Sequence, residues 1–214
     1  MTRAFVRARR PEHKQQRREA ILAAARDLAV ASGVRNVSLG AVAEAVGLAK
    51  SNIMRYFGTR EEIFLILAAE EWQEWSAAVI ARLEVSDDAV TALAETLVDR
   101  PLLCDLMSHA STSLEQNVSV EAARTFKRAI LAVIADLGTR VSQVTGLTDS
   151  EGVELVSAAS ALAGVLYPVS NPSPALAELY AQDPDIAATC PVFLPTLSRA
   201  LKALAAGLPA LRED

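Results

Sequence analysis

Ser38–Tyr56, SLGAVAEAVGLAKSNIMRY, is the stretch that decides the fold. Leu39, Val42, Ala43 and Val46 recur at spacings of three and four, the period of a helix with one buried face. Ser38 stands ahead of them as a cap for the free N–H groups of the first turn. Gly47 then supplies the positive φ of a sharp turn of about three residues, and Leu48 and Ile53 resume the apolar pattern in a second helix running from Lys50 to Tyr56. Ala43 is small enough to let the two helices cross closely. Phe57-Gly58-Thr59 closes the unit. A helix, a tight turn and a second helix is the arrangement that presents the second helix to the major groove of DNA. Its outward face carries Lys50, Ser51, Asn52, Arg55 and Tyr56, residue types suited to base edges and phosphates. Helical hairpins with glycine turns also occur in plain bundles, so the surroundings have to decide.

Upstream, Ile21, Ala25, Leu28 and Ala29 form the stripe of a preceding helix that ends at Gly33. Residues 1–16 show no apolar period and carry Arg3, Arg7, Arg9, Arg10 and Lys14, which predicts a flexible basic arm. Downstream, Glu61 and Glu62 occupy the first turn of a helix that starts after Thr59, where the macrodipole favours anions. That helix runs to Leu83, about 35 Å at 1.5 Å per residue. Further helices are predicted near 87–98, 102–115, 120–144, 150–167, 175–182 and 194–206. No stretch alternates with period two for more than a few residues, so the class is all-α. The organisation expected is an arm (1–16), a three-helix helix-turn-helix domain (17–60) and a helical body (61–214), with head and body sharing the helix after Thr59.

The 214 residues are 51% hydrophobic and 22% charged, enough apolar content for a full core and too much for a disordered chain. The net charge of −5 conceals a division. Up to Arg60 there are 12 Lys/Arg and 4 Asp/Glu, a net of +8, and the rest of the chain holds 9 and 22, a net of −13. A basic module on an acidic body suits a nucleic-acid reader: the module is drawn to phosphate and the body avoids spreading along the polymer. A solvated basic tail gives the same count, since seven of the twelve cations precede Glu19. The N-terminus has no apolar region of a secretory signal. The longest uncharged run, from Leu155 to Ala177, is broken by Pro168, Pro172 and Pro174 and falls short of a membrane span. The expectation is a soluble cytoplasmic protein.

The segment Val37–Phe64, VSLGAVAEAVGLAKSNIMRYFGTREEIF, resembles the DNA-binding signature of the tetracycline-repressor (TetR) family. Ala43, Gly47, Leu48, Ile53, Tyr56, Phe57, Arg60, Glu61, Glu62 and Ile63 fall where that pattern expects such residues. With the preceding helix the resemblance covers about 50 residues from Arg17, and the helical remainder agrees in size with the family's ligand-binding and dimerisation domain. The resemblance implies a transcriptional regulator, a repressor by preference, with double-stranded DNA and a small-molecule effector as partners and no cofactor or metal. Three departures from the pattern, at four positions, stand out. Ala49 stands where Ser or Thr usually caps the recognition helix, with Ser51 as a partial substitute. Met54 replaces a Tyr that commonly touches phosphate. Ser51 and Asn52 replace a small residue and a Thr, and Asn52 suits bidentate reading of adenine. By position, Lys50, Ser51, Asn52 and Arg55 are expected at bases or nearby phosphates. Ser38, Tyr56 and Arg60 are expected at the DNA backbone, with Arg60 aided by the positive helix end behind it, and Arg17 and Arg18 add contacts from the arm side.

In the body, two apolar stripes are candidates for a homodimer interface: Leu155, Ala158, Ala159, Leu162 and Val165, and Leu194, Leu197, Leu201 and Leu204. The same periodicity describes internal core. Trp75, Cys104, Asp105, Met107, His109 and Phe126 are candidates to line an effector pocket, with Asp105 and His109 as polar handles for an apolar or aromatic molecule; aromatic and Met residues at helical spacing also serve as core. Only His13 and His109 are present, and there is no nucleophile elbow, Gly-rich phosphate loop or metal-spaced ligand set, so an enzyme is not expected. Two other readings stay open: a redox-sensing regulator using Cys104 and Cys190, and an interaction protein that keeps the fold without using the DNA face.

Overall fold

The computed structural model describes residues 5–212, which are predominantly α-helical with no strand among them. Three helices build the head: α1 (Phe5–Ser32), α2 (Leu39–Ala45) and α3 (Lys50–Ile53), with a 3-10 turn at Val34–Asn36 between the first two. The body comprises α4 (Arg60–Leu83), α5 (Ala89–Val98), α6 (Pro101–His109), α7 (Val120–Thr145), α8 (Asp149–Ser170), α9 (Pro174–Gln182), α10 (Pro184–Ala187) and α11 (Phe193–Gly207). The expected all-α class is what is found.

Several local expectations are corrected. The segment read as a flexible arm is helix from Phe5 onward, continuous with α1; Met1–Ala4, including Arg3, lie outside the described residues. The third helix is shorter than expected, ending at Ile53, so Arg55 and Tyr56 lie in the turn that follows. The helix predicted over 102–115 stops at His109 and continues as a π-helical turn, Ala110–Leu114. α8 runs on through Pro168 to Ser170, and the short α10 was not foreseen.

Ile21, Ala25 and Ala29 of α1 are buried with Val34, Val37, Leu39, Val42, Ala43, Ile53 and Phe57, which makes one small core for the head. Gly47 sits at φ 64°, the left-handed conformation its turn requires. Thr59 caps α4 by accepting from the Glu62 N–H at 3.2 Å, so the head's last turn leads directly into a long helix of the body. The body core collects Phe64, Leu67 and Trp75 of α4 with Leu93, Leu97, Leu103, Leu137, Val141 and Val156. Trp72 and Trp75 meet edge to face with centroids 5.3 Å apart, and the Trp75 indole N–H donates to the Thr96 hydroxyl at 3.0 Å.

α8 is long and apolar enough to cross a bilayer by length and composition alone, but α6, α7 and α11 pack around it, as around the core helix of a globular domain. It approaches α7 glycine to glycine. A Cβ added at Gly138 would lie 2.8 Å from the Val153 nitrogen, and one added at Gly152 would run into the Gly138 carbonyl. Thr148 and Glu151 form a capping box at the start of α8. The Arg212 guanidinium bonded to Glu151 holds that carboxyl down to about 2. The tie is therefore complete above the ordinary carboxylate range and is lost as pH falls toward 2.

This packing corrects part of the interface expected from sequence. Leu155, Ala159, Leu197 and Leu201 are fully buried within the protomer, where α8, α11 and their neighbours meet. Ala158, Leu162, Leu194 and Leu204 are half-buried against the same core. Val165, 66% exposed, is the residue of those stripes that faces outward.

Candidate functional site

Three things position the recognition helix α3. Ile53 is fully buried and anchors its inner side. Gly47 reverses the chain, and the Leu48 N–H donates to the Ala43 carbonyl at 2.9 Å, which locks α3 against α2. At its exit, the Arg18 guanidinium lies 4.4 Å from the centre of the Phe57 ring and donates to the Tyr56 carbonyl at 3.3 Å. Ser38 caps α2 by accepting from the Ala41 N–H at 3.1 Å and remains exposed. Ala49 gives α3 no side-chain cap, and Ser51 does not replace it; a missing cap costs about 1 kcal/mol, consistent with so short a helix.

The outer side is polar and exposed. Lys50, Ser51, Asn52 and Arg55 all reach solvent, with Met54 among them and Tyr56 half-buried. Lys14 and Arg17 of α1 come alongside, so that with Asn52, Arg55 and Tyr56 they line a cleft of 480 Å³. Asn52 and Arg55 are thus brought to one surface with Lys14 and Arg17, while Lys50 and Ser51 are exposed nearby in the first turn of α3. Three of the cleft's lining residues are cations.

Two expected DNA contacts are otherwise engaged. Arg60, the first residue of α4, turns inward: its guanidinium donates to the carbonyls of Val34 and Val37, pairs with Glu61 at 3.2 Å and lies 4.6 Å from the Phe64 ring centre. Two loop carbonyls and an aromatic face take up its guanidinium. Arg18 is held at the exit of α3, as described above, while Arg17 is exposed beside it.

The expected pocket residues are also redistributed. Trp75 and Cys104 are fully buried in the body core. Burial, reinforced by the adjacent Asp105 charge, pushes the Cys104 thiol up to about 12, and its Sγ donates to the Leu97 carbonyl at 3.3 Å. A sulfur held as thiol is the unreactive kind, so Cys104 does not fit a redox sensor. Met107 packs its backbone on Gly164. Asp105 acts as a strut: its Oδ2 accepts from the Val34 N–H at 2.7 Å, joining α6 to the head, and its Oδ1 lies 3.5 Å from His109 Nε2. Burial pushes the Asp105 carboxyl up, but hydrogen bonds from His109 and Val34 outweigh this and leave it below the ordinary range. Of the six, Phe126 lines a sizeable cavity.

That cavity, 540 Å³, opens between head and body. Leu65, Ile66 and Ala69 of α4 make its floor, Arg18, Tyr56 and Phe57 one wall, and α7 from Ser119 to Ala129 the other. Glu62 closes one end, accepting from the N–H groups of Gly58 and Ser119 at 2.9 and 3.1 Å and from the Ser119 hydroxyl at 2.8 Å. Partial burial raises the Glu62 carboxyl, yet these bonds prevail and keep it ionised below its usual range. Sequence reading missed this bridge; its only local sign was an acidic residue in the first turn of α4. Among the described residues no group of His, Cys, Asp and Glu is arranged to hold a metal.

The geometry defines a class: a helix-turn-helix reading head joined by backbone and hydrogen bonds to an α-helical body. Residues 21–67 match the family model described as bacterial regulatory proteins, tetR family, and residues 69–212 match the tetracyclin repressor-like C-terminal domain. The chain belongs to the TetR family of transcriptional regulators, a family of DNA-binding proteins and not of enzymes. No curated relative matches the sequence. Among solved structures, the chain is similar to the fatty acid degradation regulator FadR of Bacillus halodurans, at 12% identity and TM-score 0.55, over 91% of this chain and 99% of that one. It is also similar to Thermus thermophilus FadR, a TetR family transcriptional repressor solved in complex with lauroyl-CoA, at 18% identity and TM-score 0.50, over 92% and 97%. At these identities the likeness is one of fold.

Proposed function

We propose that the protein is a homodimeric, sequence-specific repressor that occupies a near-palindromic operator and is released by a small apolar or aromatic effector. The observation that carries this reading is the outer side of α3 and the turn after it, where Lys50, Ser51, Asn52 and Arg55 are all exposed near Lys14 and Arg17 while Ile53 is fully buried beneath them. A polar face fixed so firmly from below is what base reading requires. Selection of bound duplexes from a random pool, followed by a salt series on the winning sequence, tests it. A near-palindromic motif and a steep fall of affinity with salt are expected. Weak, sequence-blind binding would remove the reading and favour an interaction protein.

Asn52→Ala should change the base preferred at one position per half-site, at about 1 to 3 kcal/mol of discrimination, and leave the rest of the motif intact. An unchanged selected motif would show that Asn52 does not read sequence.

A single head of this size binds weakly, which favours two copies on a two-fold site. The packing supports a partner on the outer edge of α8 and the adjoining excursion, where Val165, Val169, Leu176 and Leu179 are all exposed and α9 buries none of its residues. Val165→Asp should convert the dimer to monomer in sedimentation equilibrium at micromolar concentration. A variant that sediments as wild type would place the interface elsewhere.

A further inference from the structure

We infer that the cleft between head and body binds an amphipathic anion, its acidic group on Arg18 and its apolar tail along α4; this rests on the effector-responsive reading above and assigns that reading a site. The volume, 540 Å³, is in the range of small-molecule sites, and the cleft's interior is apolar, with Leu65, Ile66, Ala69 and Phe126 presenting their side chains to it. Its charges separate into satisfied and unsatisfied groups. Glu62 is taken up by Gly58 and Ser119, Glu70 pairs with Arg26 at 2.9 Å, and Glu121 pairs with Arg124 at 2.6 Å. Arg18 has no carboxylate partner among the described residues: it rests on the Phe57 ring and makes one long bond to the Tyr56 carbonyl. A half-buried guanidinium at the edge of an apolar cleft is a receptor for a carboxylate, which it takes up through two parallel N–H groups.

The site differs from an effector cavity enclosed in the body, because one wall is the exit of the recognition helix. A carboxylate on Arg18 pulls on the same guanidinium that holds the Tyr56 carbonyl, and a tail between Phe57 and Phe126 sets the spacing of head and α7. Occupancy and operator binding are thereby coupled through a single side chain, and each must alter the other by the same factor.

The test is isothermal titration of the full chain, without DNA, using decanoate, decanol and decyltrimethylammonium. Decanoate should bind, decanol more weakly, and the cation not at all. Arg18→Gln should weaken decanoate about tenfold or more while leaving decanol unchanged. Ala69→Trp, which fills the floor, should abolish decanoate binding in a protein whose circular dichroism and melting are those of wild type. No heat with decanoate, equal binding of the cation, or undiminished binding by folded Ala69→Trp overturns the proposal. On a selected operator, saturating decanoate should lower affinity about fivefold or more, and an unchanged affinity overturns the coupling. The calorimetry stands apart from DNA. Failure of operator selection removes the regulatory reading and leaves the cleft, whereas failure of the titration removes the cleft and leaves the DNA reading.

Discussion

Gly152→Ala should be among the most destabilising single substitutions in this protein. Gly152 lies inside α8, and in a helix interior alanine is favoured over glycine by about 1 kcal/mol, so propensity alone predicts a gain. Packing reverses the sign. The new methyl would be driven into the Gly138 carbonyl of α7, a backbone atom with no rotamer to escape into, and Gly138 is itself pressed against the Val153 backbone. Relief requires α7 and α8 to move apart where Leu137, Val141, Leu155 and Val156 are buried. A cost of about 3 kcal/mol or more is expected for such overpacking. For a chain of this length that corresponds to a fall in melting temperature of roughly 6 to 12 °C, measured at fixed protomer concentration. A variant that melts with wild type would show that the two helices are not held at this distance.

Arg60→Ala is expected to act on stability and not on DNA affinity. Its guanidinium satisfies the carbonyls of Val34 and Val37 and covers the Phe64 ring, and at 19% side-chain exposure little of it is offered to solvent. Truncation leaves two loop carbonyls without their charged donor, a loss of about 2 to 3 kcal/mol. Melting should fall accordingly. The slope of log affinity against log salt, taken where both proteins are folded, should be unchanged, whereas loss of a true phosphate contact would reduce it by about 0.9. Unaltered melting with a reduced slope would return Arg60 to the DNA surface.

Arg60 also shows what sequence could and could not convey. The helix-turn-helix was legible because its determinants are local: a cap at Ser38, an obligatory positive φ at Gly47 and apolar residues at helical spacing all act within 20 residues. The direction of an arginine at the first position of a helix is set by which acceptors lie nearest in space, and those belong to a loop some 25 positions earlier. Asp105 was missed as a strut for the same reason, since its partner Val34 is distant in sequence. In α8, periodicity located an apolar face correctly but could not say whether the protomer or a second copy covers it. Leu155 and Val165 belong to one stripe, yet the first is fully buried and the second is 66% exposed. The cleft had no local signature at all, because it exists only where Arg18, Tyr56 and Phe126 converge.

Ties join the reading head to three parts of the body: to α4 by the unbroken backbone, the Arg26 pairs to Glu70 and Glu71 and the Arg60 bonds to the Val34 and Val37 carbonyls; to α6 by the Asp105 bond to the Val34 N–H; and to the start of α7 by the Glu62 bridge between Gly58 and Ser119. A rigid body pinned at two points retains one axis of rotation, and a third pin off that axis removes it. Reorienting the head therefore means releasing a particular tie, and whichever yields selects the axis of the swing. In a two-fold pair, each axis moves the two α3 helices along its own arc. For the proposed dimer, the half-site separations it could span would then be a short list of alternatives and not a continuous range.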